Sequence, residues 1–215
     1  LDALPAVAGL VLNATAAADG AIRKALVLDL DDTLWGGILG EDGLPGLQLG
    51  PTGVGHAFRD LQRWALQLKQ RGILLAVASK NDEALARSAF EQHPEMVLRL
   101  DDIAVFKANW EPKADNLRAI AASLNLGLDA LVFVDDNPFE RAMVRDLLPA
   151  VCVPELPADP GERPAFLAAL DLFEAASHAA DDGERTTRIR ATIAAQEASA
   201  RFDSVEAFLA SLEMA

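Results

Sequence analysis

Three short apolar runs punctuate the chain: Ala25-Leu26-Val27-Leu28, Ile73-Leu74-Leu75-Ala76-Val77-Ala78 and Leu131-Val132-Phe133-Val134. Each has strand length and none alternates with polar residues, so each is expected to be a strand buried on both faces. Between them, stretches at 57–71, 82–92, 113–125 and 138–148 place apolar residues at helical spacing. Strands alternating with helices predict an α/β fold around a parallel sheet. Asn137, Pro138 and Glu140 have the form of a helix start: a capping side chain, a proline where no amide donor is needed, and an acid in the first turn. Val151-Cys152-Val153 predicts a fourth strand, closed off by Pro154, Pro157, Pro160 and Pro164. From about 163 the pattern is helical, with a last amphipathic segment near 204–213. Residues 1–22 are Ala-rich and weakly periodic, as a linker or loose helix would be. The expected organisation is an N-terminal extension at 1–22, a core at 23–160 and a helical extension at 161–215 packed on that core.

Charge and composition narrow the function classes. The 215 residues carry a net charge of −14, which argues against a nucleic-acid partner, since phosphate backbones are held by clustered Lys and Arg. No apolar run approaches the roughly 18 residues of a membrane-spanning helix. A single cysteine, Cys152, forms no internal disulfide and fits a reducing cytoplasm; in its apolar strand it is expected to be a core residue. The start at Leu1-Asp2-Ala3-Leu4-Pro5 has neither an initiator Met nor a basic leader, so a cytoplasmic domain of a larger multidomain protein is expected.

In a parallel α/β sheet, ligands bind beyond the carboxyl ends of the strands, and the unusual polar residues fall there. The first strand runs into Asp29-Leu30-Asp31-Asp32-Thr33, the second into Ser79-Lys80-Asn81 and the third into Asp135-Asp136-Asn137, while Lys113 opens the helix before the third. One Asp-x-Asp is common on surfaces; three strand ends and a lysine in this order and spacing form a strong signal. The three histidines, His56, His93 and His178, lie outside these segments and are expected to be structural or surface residues.

The order Asp29-x-Asp31-x-Thr33, then Ser79, Lys113 and Asp135-Asp136 resembles the four signature motifs of the haloacid dehalogenase (HAD) superfamily. The resemblance implies a Rossmann-like three-layer fold with Asp29 as nucleophile, forming an aspartyl-phosphate, and Asp31 as general acid/base. It further implies that Ser79 and Lys113 hold the phosphoryl oxygens. Mg²⁺ would be bound by Asp29, the backbone carbonyl of Asp31 and Asp135, with Asp136 an open case. The chemistry is self-consistent: a carboxylate meets strong repulsion on approaching a phosphate dianion, and a hard cation with a lysine relieves it. Thr33 either touches substrate or holds the loop after strand one. Asp32 is expected to serve the turn, and Asn81 to cap a helix or meet ligand beside Lys80.

The stretch Leu34 to Gly43 is long enough for a hairpin flap and too short for a folded cap, so the cap is minimal and the site open, as suits a phosphoryl group presented by something as large as a protein. Asp29 to Gly43, Ser79-Lys80-Asn81-Asp82, Asn109-Trp110-Glu111-Pro112-Lys113 and Val134-Asp135-Asp136-Asn137-Pro138 are similar to the FkbH-like domains of polyketide biosynthesis. That likeness implies capture of 1,3-bisphosphoglycerate, removal of phosphate, and loading of the glyceryl unit onto a phosphopantetheinylated acyl carrier protein. Such domains usually have a cysteine before the Ser-Lys-Asn motif, thought to carry the acyl group; here Ala78 stands there. Trp35 in the flap is a candidate substrate contact, Trp110 either a packed turn residue or a wall beside substrate, and Trp64 a core residue. Arg59, Arg63, Lys69 and Arg71, or the arginines near 185–190, offer a basic face for an acidic carrier. Two competing readings share the same motifs: a stand-alone Mg²⁺-dependent phosphatase of a small phosphorylated metabolite, and a non-catalytic carrier-docking module.

Overall fold

The structure is a computed structural model that describes residues 23–173 and 182–200. The expected linker at 1–22, His178 and the segment at 204–213 lie outside the described residues. In chain order the elements are β1 (Ala25–Leu28), α1 (Leu39–Gly46), α2 (Gly53–Gln70), β2 (Leu74–Ser79), α3 (Glu83–Gln92), β3 (Ile103–Ala108), α4 (Lys113–Leu124), β4 (Leu131–Val134), α5 (Pro138–Leu147), α6 (Arg163–Ala169) and α7 (Asp182–Ala200). The strands form a four-stranded sheet in the order β3-β2-β1-β4, with every pair parallel.

Alternation along the strands divides the core into two layers. Leu26 and Leu28 of β1 face one side with Leu75 and Val77 of β2, and there they meet Phe58, Leu61 and Ala65 of α2 and Phe90 of α3. Ala25 and Val27 face the other side with Ala76 and Ala78, against Leu117 and Ile120 of α4 and Val144 of α5. The result is the expected three-layer α/β architecture, with β1 interior between β2 and β4.

The pattern-based reading needs four corrections. The run Ile103–Ala108 is an edge strand that it missed: the segment follows Asp101-Asp102 and contains Lys107, which an edge strand tolerates and a central one does not. Val151-Cys152-Val153 makes only a single bridge, Val132 with Cys152, in place of a fourth strand. The flap is a short helix, α1, kinked at Gly43 (φ 64°) and containing Pro45, with one antiparallel bridge between Gly36 and Gln48; it is not a hairpin. Asn81 does not cap α3. Asp82 does, accepting from the Leu85 amide at 2.9 Å, whereas Asn137 caps α5 as expected, accepting from the Phe139 amide at 2.9 Å.

A buried glutamine on α2 joins both halves of the first layer. Gln62 Nε2 donates to the Leu34 carbonyl at 2.7 Å, and its Oε1 accepts from the amides of Val97 and Leu98 at 2.8 and 3.1 Å. Gln62→Ala strands two buried backbone groups and one half-buried one, the buried ones each costing about 1–3 kcal/mol. A loss of about 3 kcal/mol in urea unfolding is expected, and a loss below about 1 kcal/mol would show that water replaces the amide.

Candidate active site

The functional side chains stand where the strands end. Leu28 pairs with Val77 on one side and Val134 on the other, and the Asp29 amide donates to the Val134 carbonyl at 3.0 Å. The next residue of each strand, Asp29, Ala78 and Asp135, therefore falls on the face that carries Val27, Ala76 and Phe133. α4 covers that face, and its first residue, Lys113, has its side chain buried to 4% exposure among the carboxylates. Lys113 Nζ lies 2.9 Å from Asp29 Oδ2 and hydrogen-bonds Asp135 Oδ2.

Asp29, Asp135 and Asp136 each place a carboxylate oxygen within 4.8 Å of the others. Thr33 is wholly buried and holds the third of these: its hydroxyl donates to Asp136 Oδ1 at 3.2 Å and accepts from the Asp136 amide at 3.1 Å. Thr33 thus serves the loop and the acidic pair. Three carboxylates and one lysine leave a surplus of two negative charges, which an all-oxygen site offers to a hard divalent cation. The surplus shifts the ionisation of the groups that share the site. Burial, then the Asp29 charge, pushes Asp135 up to about 6 in spite of Lys113 beside it. Burial, then Asp29 and Asp32, also raises Asp136. Burial pulls Lys113 downward, but the Asp29 and Asp135 charges outweigh it and its pKa stands above the usual lysine value.

Asp31 points elsewhere. Its Oδ1 accepts from the Trp35 indole N–H at 2.9 Å and the Leu39 amide at 3.1 Å, and its Oδ2 accepts from Asn81 Nδ2 at 3.0 Å. Its carboxylate stands outside the three-carboxylate cluster. Burial raises its pKa against the two donors from Leu39 and Trp35. Trp35 is 0% exposed, so the structure moves it from substrate contact to holding Asp31, and buried Asn81 acts alongside it. Lys80 Nζ pairs with Glu140 Oε1 of α5 at 2.6 Å, bridging the loop after β2 to the helix after β4. Ser79 is buried at the end of β2. Trp110 is 76% exposed, which excludes the packed-turn reading. Its loop is held by reciprocal amide bonds between Asn109 and Asn116, at 3.0 and 2.8 Å.

Two arginines escaped the sequence reading. Buried Arg141 donates to the carbonyls of Asp135 (2.9 Å) and Asp136 (2.6 Å) and pairs with Glu155. Buried Arg163 donates to the Asp32 carbonyl at 2.6 Å. Asp32 has φ 51°, a left-handed conformation that Asp tolerates better than most residues, and its carboxylate accepts from the Gly37 amide at 2.8 Å, so it is a turn residue as expected. Only the helical spacing of Arg141 four residues after its cap hinted at its inward direction. Cys152 has its thiol pushed up by burial and packs against the core. On α2, Arg59, Arg63 and Lys69 are ion-paired with Glu95, Asp60 and Asp102, so much of that basic face is neutralised. Among the described residues, no helix is long and apolar enough to cross a membrane.

Among solved structures, the chain is similar to the N-terminal part of the protein BF1531 from Bacteroides fragilis, described as containing a phosphatase domain complexed with Mg. The identity is 55% and the TM-score 0.74, over 82% of this chain and 47% of that one, so this chain spans about half the length of its neighbour. No family model and no curated protein matches it. The fold is that of a HAD-like phosphatase domain.

Proposed function

We propose that this chain is a Mg²⁺-dependent phosphohydrolase whose nucleophile is Asp29. The observation that carries the reading is Lys113 held between Asp29 and Asp135 in a buried all-oxygen cluster, in a fold shared with a phosphatase domain that binds Mg. Asp29, Asp135 and Asp136 would hold the ion, which offsets charge on the phosphoryl group and on the carboxylates around it. An Asp29 oxygen attacks phosphorus, the bond from phosphorus to the substrate oxygen breaks, and Asp31 supplies the proton that this oxygen takes up. Asp31 then removes a proton from water as the water oxygen attacks the aspartyl-phosphate, releasing inorganic phosphate and restoring Asp29. Lys113 and Ser79 steady the phosphoryl oxygens.

The finer reading is that the substrate is 1,3-bisphosphoglycerate and the acceptor an acyl carrier protein. Asp29 would remove the phosphomonoester, while the carrier thiol attacks the acyl carbon, the carbon–oxygen bond to the second phosphate breaks, and that phosphate leaves. Support comes from the motif likeness around Trp110 and Ser79-Lys80-Asn81 and from the small insert after β1, whose helix α1 has only 8 residues. Trp110 and Lys80, the latter paired with Glu140 at the rim, would meet the substrate body. Because Ala78 lies on the nucleophile's own face beside Asp29, is 0% exposed and has no thiol, transfer would go directly to the carrier. That same alanine favours the second reading, a phosphatase of a small metabolite that carries out no acyl transfer. Intact mass spectrometry of a phosphopantetheinylated carrier incubated with 1,3-bisphosphoglycerate, Mg²⁺ and this chain separates them: a glyceryl gain supports loading, and phosphate release without it supports the phosphatase.

Two pH effects follow. Metal binding needs ionised Asp135, so the apparent Mg²⁺ dissociation constant should rise about tenfold for each unit that pH falls below about 6; titration calorimetry at pH 5 and 8 would reveal a flat response if Asp135 takes no part. Trp35→Phe removes a donor that lowers Asp31, so the pH–rate limb belonging to Asp31 should move to higher pH. An unmoved limb would remove Asp31 from proton transfer.

A further inference from the structure

The acidic pair at the end of β4 is held from behind. Arg141, near the start of α5, donates through Nη1 to the carbonyls of Asp135 at 2.9 Å and Asp136 at 2.6 Å. A peptide unit is planar, so a fixed carbonyl also aims the amide that follows it. The Asp136 amide thus donates to the Thr33 hydroxyl at 3.1 Å, and the Asn137 amide donates to Asp135 Oδ1 at 2.8 Å. One guanidinium sets both peptide planes, and through them the direction of the Asp135 carboxylate.

The same guanidinium reaches outward. Its Nη2 pairs with Glu155, which is 55% exposed and stands outside the three-carboxylate cluster. One turn along α5, Arg145 Nη2 donates to Glu155 Oε2 at 2.7 Å, and its Nε and Nη2 donate to the Val153 carbonyl at 3.2 and 2.9 Å. Burial pushes the Glu155 carboxyl up, but the two arginines outweigh it and hold it below the usual carboxylate value. Arg141 itself is buried to 4% exposure, and its Nε has no hydrogen-bond partner among the described residues. Burying a cation with a donor left over costs stability that an apolar side chain would not, so packing alone does not account for Arg141.

We propose that Arg141 is a positioning residue of the cation site and that Glu155 sets the Mg²⁺ affinity of that site through it. The proposal rests on the reading in which Asp29, Asp135 and Asp136 hold the ion. Glu155 holds the guanidinium fork against the two carbonyls and offsets its charge, which otherwise competes with the ion for the same carboxylates.

The test titrates the whole chain with Mg²⁺ alone, by calorimetry. Arg141→Lys keeps the charge but loses the fork, and should weaken Mg²⁺ binding about tenfold or more. Glu155→Gln keeps the shape but loses the charge, and should weaken it about tenfold. That position is half-exposed, so this variant keeps the fold, with circular dichroism as the check. In an Arg141→Met background, Glu155→Gln should change the affinity less than about twofold. Without Mg²⁺, the Asn137 amide should exchange faster in Arg141→Lys, by a larger factor than the amides of β1. Unchanged affinity in Arg141→Lys or Glu155→Gln overturns the proposal. So does an equal effect of Glu155→Gln in both backgrounds, because the carboxylate would then act by its own field. Exchange at Asn137 rising only in step with β1 would reduce Arg141 to a structural role and overturn it too. If the unaltered chain binds no Mg²⁺, the cation site itself falls; if it binds Mg²⁺ and the variants match it, the positioning role alone falls.

Discussion

Lys113→Ala is expected to destabilise the fold by about 3–5 kcal/mol in the absence of Mg²⁺, the usual consequence of removing one partner of a buried ion pair. The lysine is the cation that meets both Asp29 and Asp135. Without it, two buried carboxylates and half-buried Asp136 face one another across a low-dielectric space. Protonation gives partial relief, because Asp135 already holds its proton up to about 6. In this variant its folded pKa should climb further above the unfolded value. A carboxyl raised on folding loses stability as pH rises through the interval between those two pKa values. The defect should therefore be smallest near pH 5 and largest near pH 8, and Mg²⁺ should repair much of it by neutralising the same charge. Urea melts at both pH values, with and without Mg²⁺, provide the check. A melt insensitive to the ion would mean that the carboxylates do not share a cation site.

Asp29→Asn should lower phosphate release by three or more orders of magnitude, on the order of what deletion of a nucleophile costs in enzymes where it has been measured. The amide nearly matches the carboxylate in shape, and thermal stability should change far less than activity. Asp31→Asn supplies the contrast. It keeps the attacking group and loses the base for the second step, so with a substrate bearing a good leaving group a phosphorylated enzyme should accumulate, seen as a mass gain of one phosphoryl group. No such species in Asp31→Asn, together with residual turnover in Asp29→Asn, would move the nucleophile elsewhere.

Much of this architecture was legible because it rests on simple periodicities. β1, β2 and β4 are buried on both faces and show as unbroken apolar runs, and Asn137-Pro138 marks a helix start by local chemistry alone. β3 was not read although Ile103 to Phe106 is an apolar run as long as that of β1; acids before it and Lys107 within it, which an edge strand tolerates, interrupt the pattern. The flap was misread because Gly36, Gly37, Gly40 and Gly43 suggest a hairpin, while Asp42, whose carboxylate accepts from the Ile38 amide at 2.8 Å, helps wind a short helix. At the site, residue types and order pointed to the cluster, but the division of labour did not show. Trp35 and Asn81 serve Asp31, Thr33 serves Asp136, and Arg141 and Arg163 fix backbone carbonyls; each of these depends on tertiary direction, which no spacing encodes.

The paired hydrogen bonds between Thr33 and Asp136 join residues 103 positions apart, and β1 lies between partners that come much later in the chain. Non-local closure of this kind is slow, because chain entropy is spent before any contact rewards it. During synthesis Asp29 emerges long before Asp135 and Asp136, so under the proposed mechanism the nascent polypeptide would gain competence for phosphoryl chemistry only once β4 has docked. Under that mechanism a ribosome stalled before Asp135 would carry an inert product.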